Sequence, residues 1–231
     1  MERHFERELE DLNKQLLLMG GRAETIVLKS VEALRLLDRE LANEVFGDDR
    51  LIDRMELDID ERCLRLLALQ QPMAKDLRFI TAALKISNDL ERVGDHAVNI
   101  AEAAKKLSGV PLLKPLVDIP RMETLASGML RDALDAFVRR DTENARALCR
   151  RDDEVDQLND QIFRELLTYM IEDPKTISRA LELVLVARNL ERIADLATNI
   201  AEEVVFIAEA RIIKHHAEEL PAADDADFGR S

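Results

Sequence analysis

NDLERVGDHAVNIAE, residues 88–102, returns one hundred positions later as RNLERIADLATNIAE, residues 188–202. Nine of the fifteen positions are identical, and Glu91 and Asp95 recur as Glu191 and Asp195. An internal duplication is the economical reading. Carried upstream at the same spacing, Glu56 and Asp60 in MELDID fall on Asp156 and Asp160 in DQLND. Four acidic pairs of the form E/D-x-x-x-D then make two matching sets.

On a helix, residues four apart share one face with Cβ atoms about 5–6 Å apart, so each pair sets two carboxylates side by side. Like charges so placed cost a helix about 0.2–0.5 kcal/mol per pair. A cation that bridges them is one reading of a fourfold recurrence. Carboxylate oxygens suit hard cations and also iron or manganese, and facing helices of a bundle can gather them around a metal centre. The other reading is a solvated acidic face with Arg92 and Arg192 as local counter-charges.

Composition narrows the class. With 231 residues the chain can bury one large core or two small ones. Aromatic residues make up only 3% and Trp is absent, while Leu, Ala, Glu and Arg dominate, which favours helices over strands. The formal net charge of −14 repels phosphate backbones and argues against direct nucleic-acid binding. The opening MERHFERELEDL lacks the apolar core of a signal peptide, and no run of about 18 apolar residues suggests a membrane span. A cytoplasmic, soluble protein is expected. Cys63 and Cys149 do not occupy repeat-equivalent positions, so a disulfide framework is excluded and both read as small buried hydrophobes. The four histidines show neither H-x-x-x-H nor H-x-x-E-H spacing, which disfavours the usual zinc hydrolases.

Along the chain, Leu9, Leu12, Leu16, Met19, Ala23, Ile26 and Leu34 recur at helical spacing and predict a first helix over residues 2–41. Gly20 and Gly21 interrupt it, where a kink or a close helix contact is expected. LANEVFGDD reads as a turn or short helical connection, with a second helix starting at Asp48 or Asp49 and running to about Gln70. Pro72 then breaks the pattern ahead of a third helix over 73–107. Gly94, Ala97 and Ala101 on that helix allow close helix approach, whether for packing alone or to bring carboxylates near a shared ion. Counting about Pro72 leaves the 56/60 and 91/95 pairs roughly one to two helical turns out of register. Loop geometry, or ligands from the first helix such as Glu24 or Glu32, would have to close that gap. SGVPLLKPLVDIP, residues 108–120, marks a domain boundary. The plan then repeats, with helices expected over 121–139, 152–170 and 174–210, the last started by Asp173 before Pro174. The division is therefore two three-helix bundles in tandem, over 1–110 and 116–213, with a flexible tail at 214–231 and His215 and His216 at the surface.

These residues carry a family likeness over nearly the whole chain. It resembles the PhoU family of bacterial phosphate-signalling and phosphate-transport regulators through Met19-Gly20-Gly21, MELDIDERCLRLLALQQPMAKDLRFI (55–80), LERVGD (90–95) and LERIAD (190–195). The resemblance implies an all-α fold of two tandem three-helix bundles. It implies a multinuclear metal cluster on the E(D)xxxD motifs, with iron favoured and zinc, manganese or magnesium as alternatives. Mapped onto this chain, the ligands are Glu56, Asp60, Glu91, Asp95, Asp156, Asp160, Glu191 and Asp195. Ala194 stands where the family's motif usually has Gly, which puts crowding of the second site in question. The same resemblance implies a negative regulator of the phosphate-starvation response and modulator of phosphate uptake. Its partners would be the ATPase subunit of the phosphate ABC transporter, the phosphate-sensing histidine kinase and a second copy in a homodimer, with no catalytic activity. The alternatives are a carboxylate-bundle metalloenzyme, disfavoured by the lack of any E-x-x-H and by Leu196 in place of His96, and a purely structural helical scaffold.

Overall fold

In the computed structural model, which describes residues 2–210, the regular structure is all helical, with no strand among the described residues. These are α1 (Glu2–Leu36), α2 (Arg39–Gln70), α3 (Ala74–Leu107), α4 (Asp118–Arg139), α5 (Thr142–Cys149), α6 (Asp152–Glu172) and α7 (Ile177–Glu209), with a 3-10 turn at Pro174–Thr176 before the last. The tail expected at 214–231, with His215 and His216, lies outside the described residues.

The first bundle is α1, α2 and α3 packed on one another, and the second is α4, α6 and α7 with the short α5 beside α4 and α7. Each buries an apolar stripe: Leu12, Leu16, Ile26 and Leu34 on α1, Ile52, Ile59 and Leu66 on α2, and Ile80, Ile86, Leu90 and Ile100 on α3. The bundles lie side by side, joined by α3 against α7 and by α1 against α4. Small residues are frequent on both α3 and α7, where Gly94, Ala97, Ala101, Ala194, Ala197 and Ala201 are all buried, and Gly94 faces Asp49 and Ile52 of α2. A short side chain permits the close backbone approach that a Leu-lined seam would forbid. No helix among the described residues is long and apolar enough to cross a membrane.

Two local expectations change, and at Gly20 one of two alternatives is selected. Helix α1 stops at Leu36, because Leu37 turns into the left-handed region at φ 54° and Asp38 begins α2. The Asp38 carboxylate accepts from the Glu40 and Leu41 amides at 2.8 and 3.1 Å, so α2 starts at Arg39, well ahead of Asp48, and runs straight through Gly47. Gly20 and Gly21 do not break α1. A Cβ on Gly20 would stand 2.5 Å from Leu134 Cδ1 of α4, so this glycine is the close contact between the bundles, whereas Gly21 faces open space. Helix α5 is an addition to the predicted elements.

The duplication also has two spacings. Leu37 and Arg140, both left-handed, and the caps Asp38 and Asp141 correspond at an interval of 103. So do the buried pairs Ile52 and Val155, Ile59 and Ile162, and Cys63 and Leu166. At an interval of 100, Ile52 and Ile59 would instead match Asp152 and Asn159, exchanging core for polar positions. Only α3 and α7 keep the interval of 100. Ile59 precedes Glu91 by 32 positions while Ile162 precedes Glu191 by 29, so the second repeat has a shorter connection before its last helix. In that repeat α5 and α6, parted at Arg150 and Arg151, take the place of the unbroken α2.

Candidate metal centres

In the first bundle the third helix supplies Glu91 and Asp95, and the residues opposite them on α2 are Asp49, Asp53 and Glu56. Asp49 reaches in because position 94 has no side chain: a Cβ there would stand 2.7 Å from Asp49 Oδ1. That oxygen is buried and accepts no hydrogen bond. Burial, then the charges of Asp53 and Asp95, push the Asp49 carboxyl up to about 6. Burial followed by Asp95, Glu56, Asp53 and Asp49 pushes Glu91 up to about 7. Five carboxylates from two helices thus feel one another's charge.

The second bundle repeats this with α6 and α7. Asp152 is pushed up to about 6 by burial and then by Asp195, Asp156, Asp153 and Glu191, and its Oδ1 is likewise buried without a partner. Asp156 and Glu191 are raised in the same way, mainly by burial, with Asp195 the foremost charge on Asp156 and Asp156 the foremost on Glu191. Asn159 occupies the place that Glu56 holds in the first bundle and donates from Nδ2 to Glu191 Oε2 at 2.9 Å. One negative charge is therefore replaced by an amide donor. Arg192 pairs with Asp195 at 3.1 Å.

Of the eight residues read from the sequence, the structure brings Glu56, Glu91 and Asp95 together in one bundle and Asp156, Glu191 and Asp195 in the other. Asp60 and Asp160 stand a turn further along. Asp60 takes a 3.5 Å bond from the Ser87 hydroxyl, and its charge bears on the Cys63 thiol rather than on the α3 carboxylates. Asp160 is 73% exposed, 3.8 Å from Arg164, and reaches the cluster only through its effect on Asp156. The places facing α3 and α7 go instead to Asp49 and Asp53 and to Asp152, with Asp153 alongside. The signal was present: 49/53 and 152/156 are themselves D-x-x-x-D pairs, related by 103 rather than 100. Glu24 and Glu32 of α1 are engaged elsewhere, by Arg131 and, at 2.6 Å, by Arg35. His96 turns to the bundle seam, where Nδ1 meets Asn189 Oδ1 at 2.9 Å.

The donors suit hard cations: all are carboxylate oxygens, one in each bundle is buried with nothing to accept, and in the first the space above Gly94 admits it. Among the described residues no three His, Cys, Asp or Glu side chains are drawn tightly enough to enclose one ion. Both cysteine thiols are free, buried Cys63 pushed up to about 12 and Cys149 to about 11, each mainly by burial.

A family model for the PhoU domain matches the chain twice, over residues 16–104 and 119–204. The phosphate-specific transport system accessory protein PhoU homolog of Aquifex aeolicus is 45% identical over 209 residues, 90% of this chain and 95% of that protein. The homolog of the same description from Clostridium acetobutylicum is 41% identical over 204 residues, 88% of this chain and 93% of its own. The crystal structure of PhoU from Pseudomonas aeruginosa superposes with a TM-score of 0.86 at 41% identity, covering 90% of this chain and 100% of that one. The phosphate transport system regulatory protein PhoU from Streptococcus pneumoniae gives 0.84 at 30% identity, covering 90% and 98%. Doubled domain, helical architecture and identity over nine-tenths of the length together place this chain in the PhoU family.

Proposed function

We propose that this protein is a non-enzymatic, metal-binding regulatory adaptor of phosphate uptake. The observation that carries the metal half is the pair of buried, unpartnered carboxylate oxygens, Asp49 Oδ1 and Asp152 Oδ1, each set among like charges. A buried acceptor without a donor is costly, and a carboxylate cluster whose charges raise one another's pKa is the electrostatic complement of a cation. Asp49, Asp53, Glu91 and Asp95, with Glu56, would hold the ions of the first centre. Asp152, Asp156, Glu191 and Asp195, with Asp153, would hold those of the second. Bound metal would neutralise the cluster and tie α2 to α3 and α6 to α7. Iron is the favoured metal by family likeness, and zinc, manganese and magnesium also accept oxygen ligands.

The regulatory half rests on relatives described as accessory or regulatory proteins of phosphate transport. In this reading the protein is cytoplasmic, holds the phosphate-starvation response off, and contacts the ATPase subunit of the phosphate ABC transporter and the phosphate-sensing histidine kinase, as a homodimer. His96, the one histidine beside a motif, is bonded to Asn189 instead of facing the carboxylates, which weighs against the di-iron type of catalysis.

Elemental analysis of protein purified without added metal, with thermal melting before and after chelation, tests the metal half. Bound metal and a lowered melting temperature on chelation are expected; no metal and an unchanged melt would remove it. Binding of the purified ATPase subunit and of the kinase's cytoplasmic part, measured by interferometry, tests the adaptor half, and binding to neither would remove that.

A further inference from the structure

The seam between α3 and α7 does not treat its two sides alike. On one side His96 Nδ1 and Asn99 Nδ2 close on Asn189 Oδ1 at 2.9 and 3.2 Å. The repeat-equivalent trio on the other side is Leu196, Asn199 and Asp89, and leucine has no donor with which to close. There a cavity of about 240 Å³ opens, lined by Arg92 from the first bundle and by Asp152, Arg192, Asp195, Thr198 and Asn199 from the second. Two buried oxygens among these residues, Asp152 Oδ1 and Thr198 Oγ1, have no hydrogen-bond partner. The two guanidinium groups are half-exposed. Arg92 applies Nη1 to Asp89 at 3.5 Å and Arg192 applies Nη1 to Asp195 at 3.1 Å, and each fork carries five N–H donors in all.

We propose that this cavity is an oxyanion site, in which Arg92, Arg192, the Thr198 hydroxyl and the Asn199 amide hold a tetrahedral oxyanion such as inorganic phosphate beside metal held by Asp152 and Asp195. The inference rests on the metal reading above, because without a cation the two aspartates would repel the ligand. With one, the charge balance reverses. Guanidinium forks match the oxygen spacing of phosphate, each engages its neighbouring aspartate through one Nη1 only, and the unpartnered Thr198 hydroxyl and the Asn199 amide complete the donor set. The ligand would join the bundles, since Arg92 comes from α3 and its other partners from α6 and α7. It would do so on one side only, because His96 and Asn189 close the counterpart.

The test is isothermal titration of manganese-loaded, gel-filtered full-length protein with inorganic phosphate, and in a parallel arm with acetate, with metal content measured on each sample. Phosphate is expected to bind the loaded protein and acetate far more weakly. Arg92→Ala should weaken phosphate roughly tenfold or more, the loss expected for a charged hydrogen bond, at unchanged metal content. Arg92→Lys, which keeps the charge and loses the fork, should fall between, and its unchanged melting temperature excludes a folding defect. Loaded protein that binds no phosphate, binds acetate as tightly, or binds phosphate equally well as Arg92→Ala overturns this inference alone. Protein that takes up no metal overturns the metal reading and this inference with it.

Discussion

A single methyl group separates the two motif helices at Gly94 and Ala194, and at Gly94 its consequence can be worked out. The Cβ of Gly94→Ala would meet Asp49 Oδ1, the free end of a side chain, so the carboxylate swings away and the backbone need not move. Replacing a mid-helix glycine also favours the helix by up to about 1 kcal/mol. Gly94→Ala is therefore expected to melt no lower than wild type when metal-free, yet to lose metal from the first centre, as read by elemental analysis beside Asp195→Asn as the second-centre control. Glu91 makes a prediction in pH. Its carboxyl sits near 7 when folded against an ordinary 4.5, so the folded state holds a proton that the unfolded chain releases. The resulting penalty is complete above the folded value and fades as the pH falls toward the unfolded one. In chelated protein Glu91→Gln should thus melt higher than wild type at about pH 8, with the gap closing by about pH 5. In metal-loaded protein the same change should lower the melting temperature, because a ligand is lost. A pH-independent gap between the two metal-free proteins would show that Glu91 is not buried among like charges.

Helices in this protein are positioned by their ends and by their smallest residues. Asp38 and Asp141 start α2 and α5 after a left-handed turn, and that pairing at 103 sets which side chains of α2 and α6 look inward. Periodicity made the helices legible, but the many acidic residues of α2 offered pairs at more than one register. The 56/60 pair keeps the interval of α3 and α7, whereas Asp49 and Asp53, about two turns earlier, are the residues that counting about Pro72 sets level with Asp95 and Glu91. Between α1 and α4 the close approach falls on Gly20, with Leu134 Cδ1 2.5 Å from where a Cβ would be. Gly20→Ala should therefore be less stable than Gly21→Ala by about 1–3 kcal/mol, the usual penalty for overpacking, in urea unfolding. Equal midpoints for the two variants would mean that this helix contact is not tight.

Across the whole molecule the two bundles are bound by a polar fastening as well as by the close contact at Gly20. Glu203 of α7 is 2% exposed and takes two bonds from Lys85 Nζ of α3, at 3.0 and 3.1 Å, while the same ammonium lies 5.2 Å from the centre of the Phe206 ring. Lys85→Met keeps the stem and removes the charge, and should cost about 1–3 kcal/mol, measured by urea unfolding, because hydrogen bonds to a buried charge are among the stronger ones. An unfolding midpoint equal to wild type would place the holding force of the seam in its apolar residues alone.

Sequence alone determined the helical class, the doubling of the plan, the break between the bundles and the acidic pairs of the last helix in each, since these depend on composition and on periods of a few residues. Tertiary structure alone decided which face of α2 and α6 meets those pairs, that Gly20 is a contact and not a kink, and that Arg92 lines one cavity with Asp152 and Asp195 of the other bundle. The physical reason is that a helix's own pattern sets its inward stripe, whereas its rotation and height against a neighbour depend on loop length and on side chains far away in the chain.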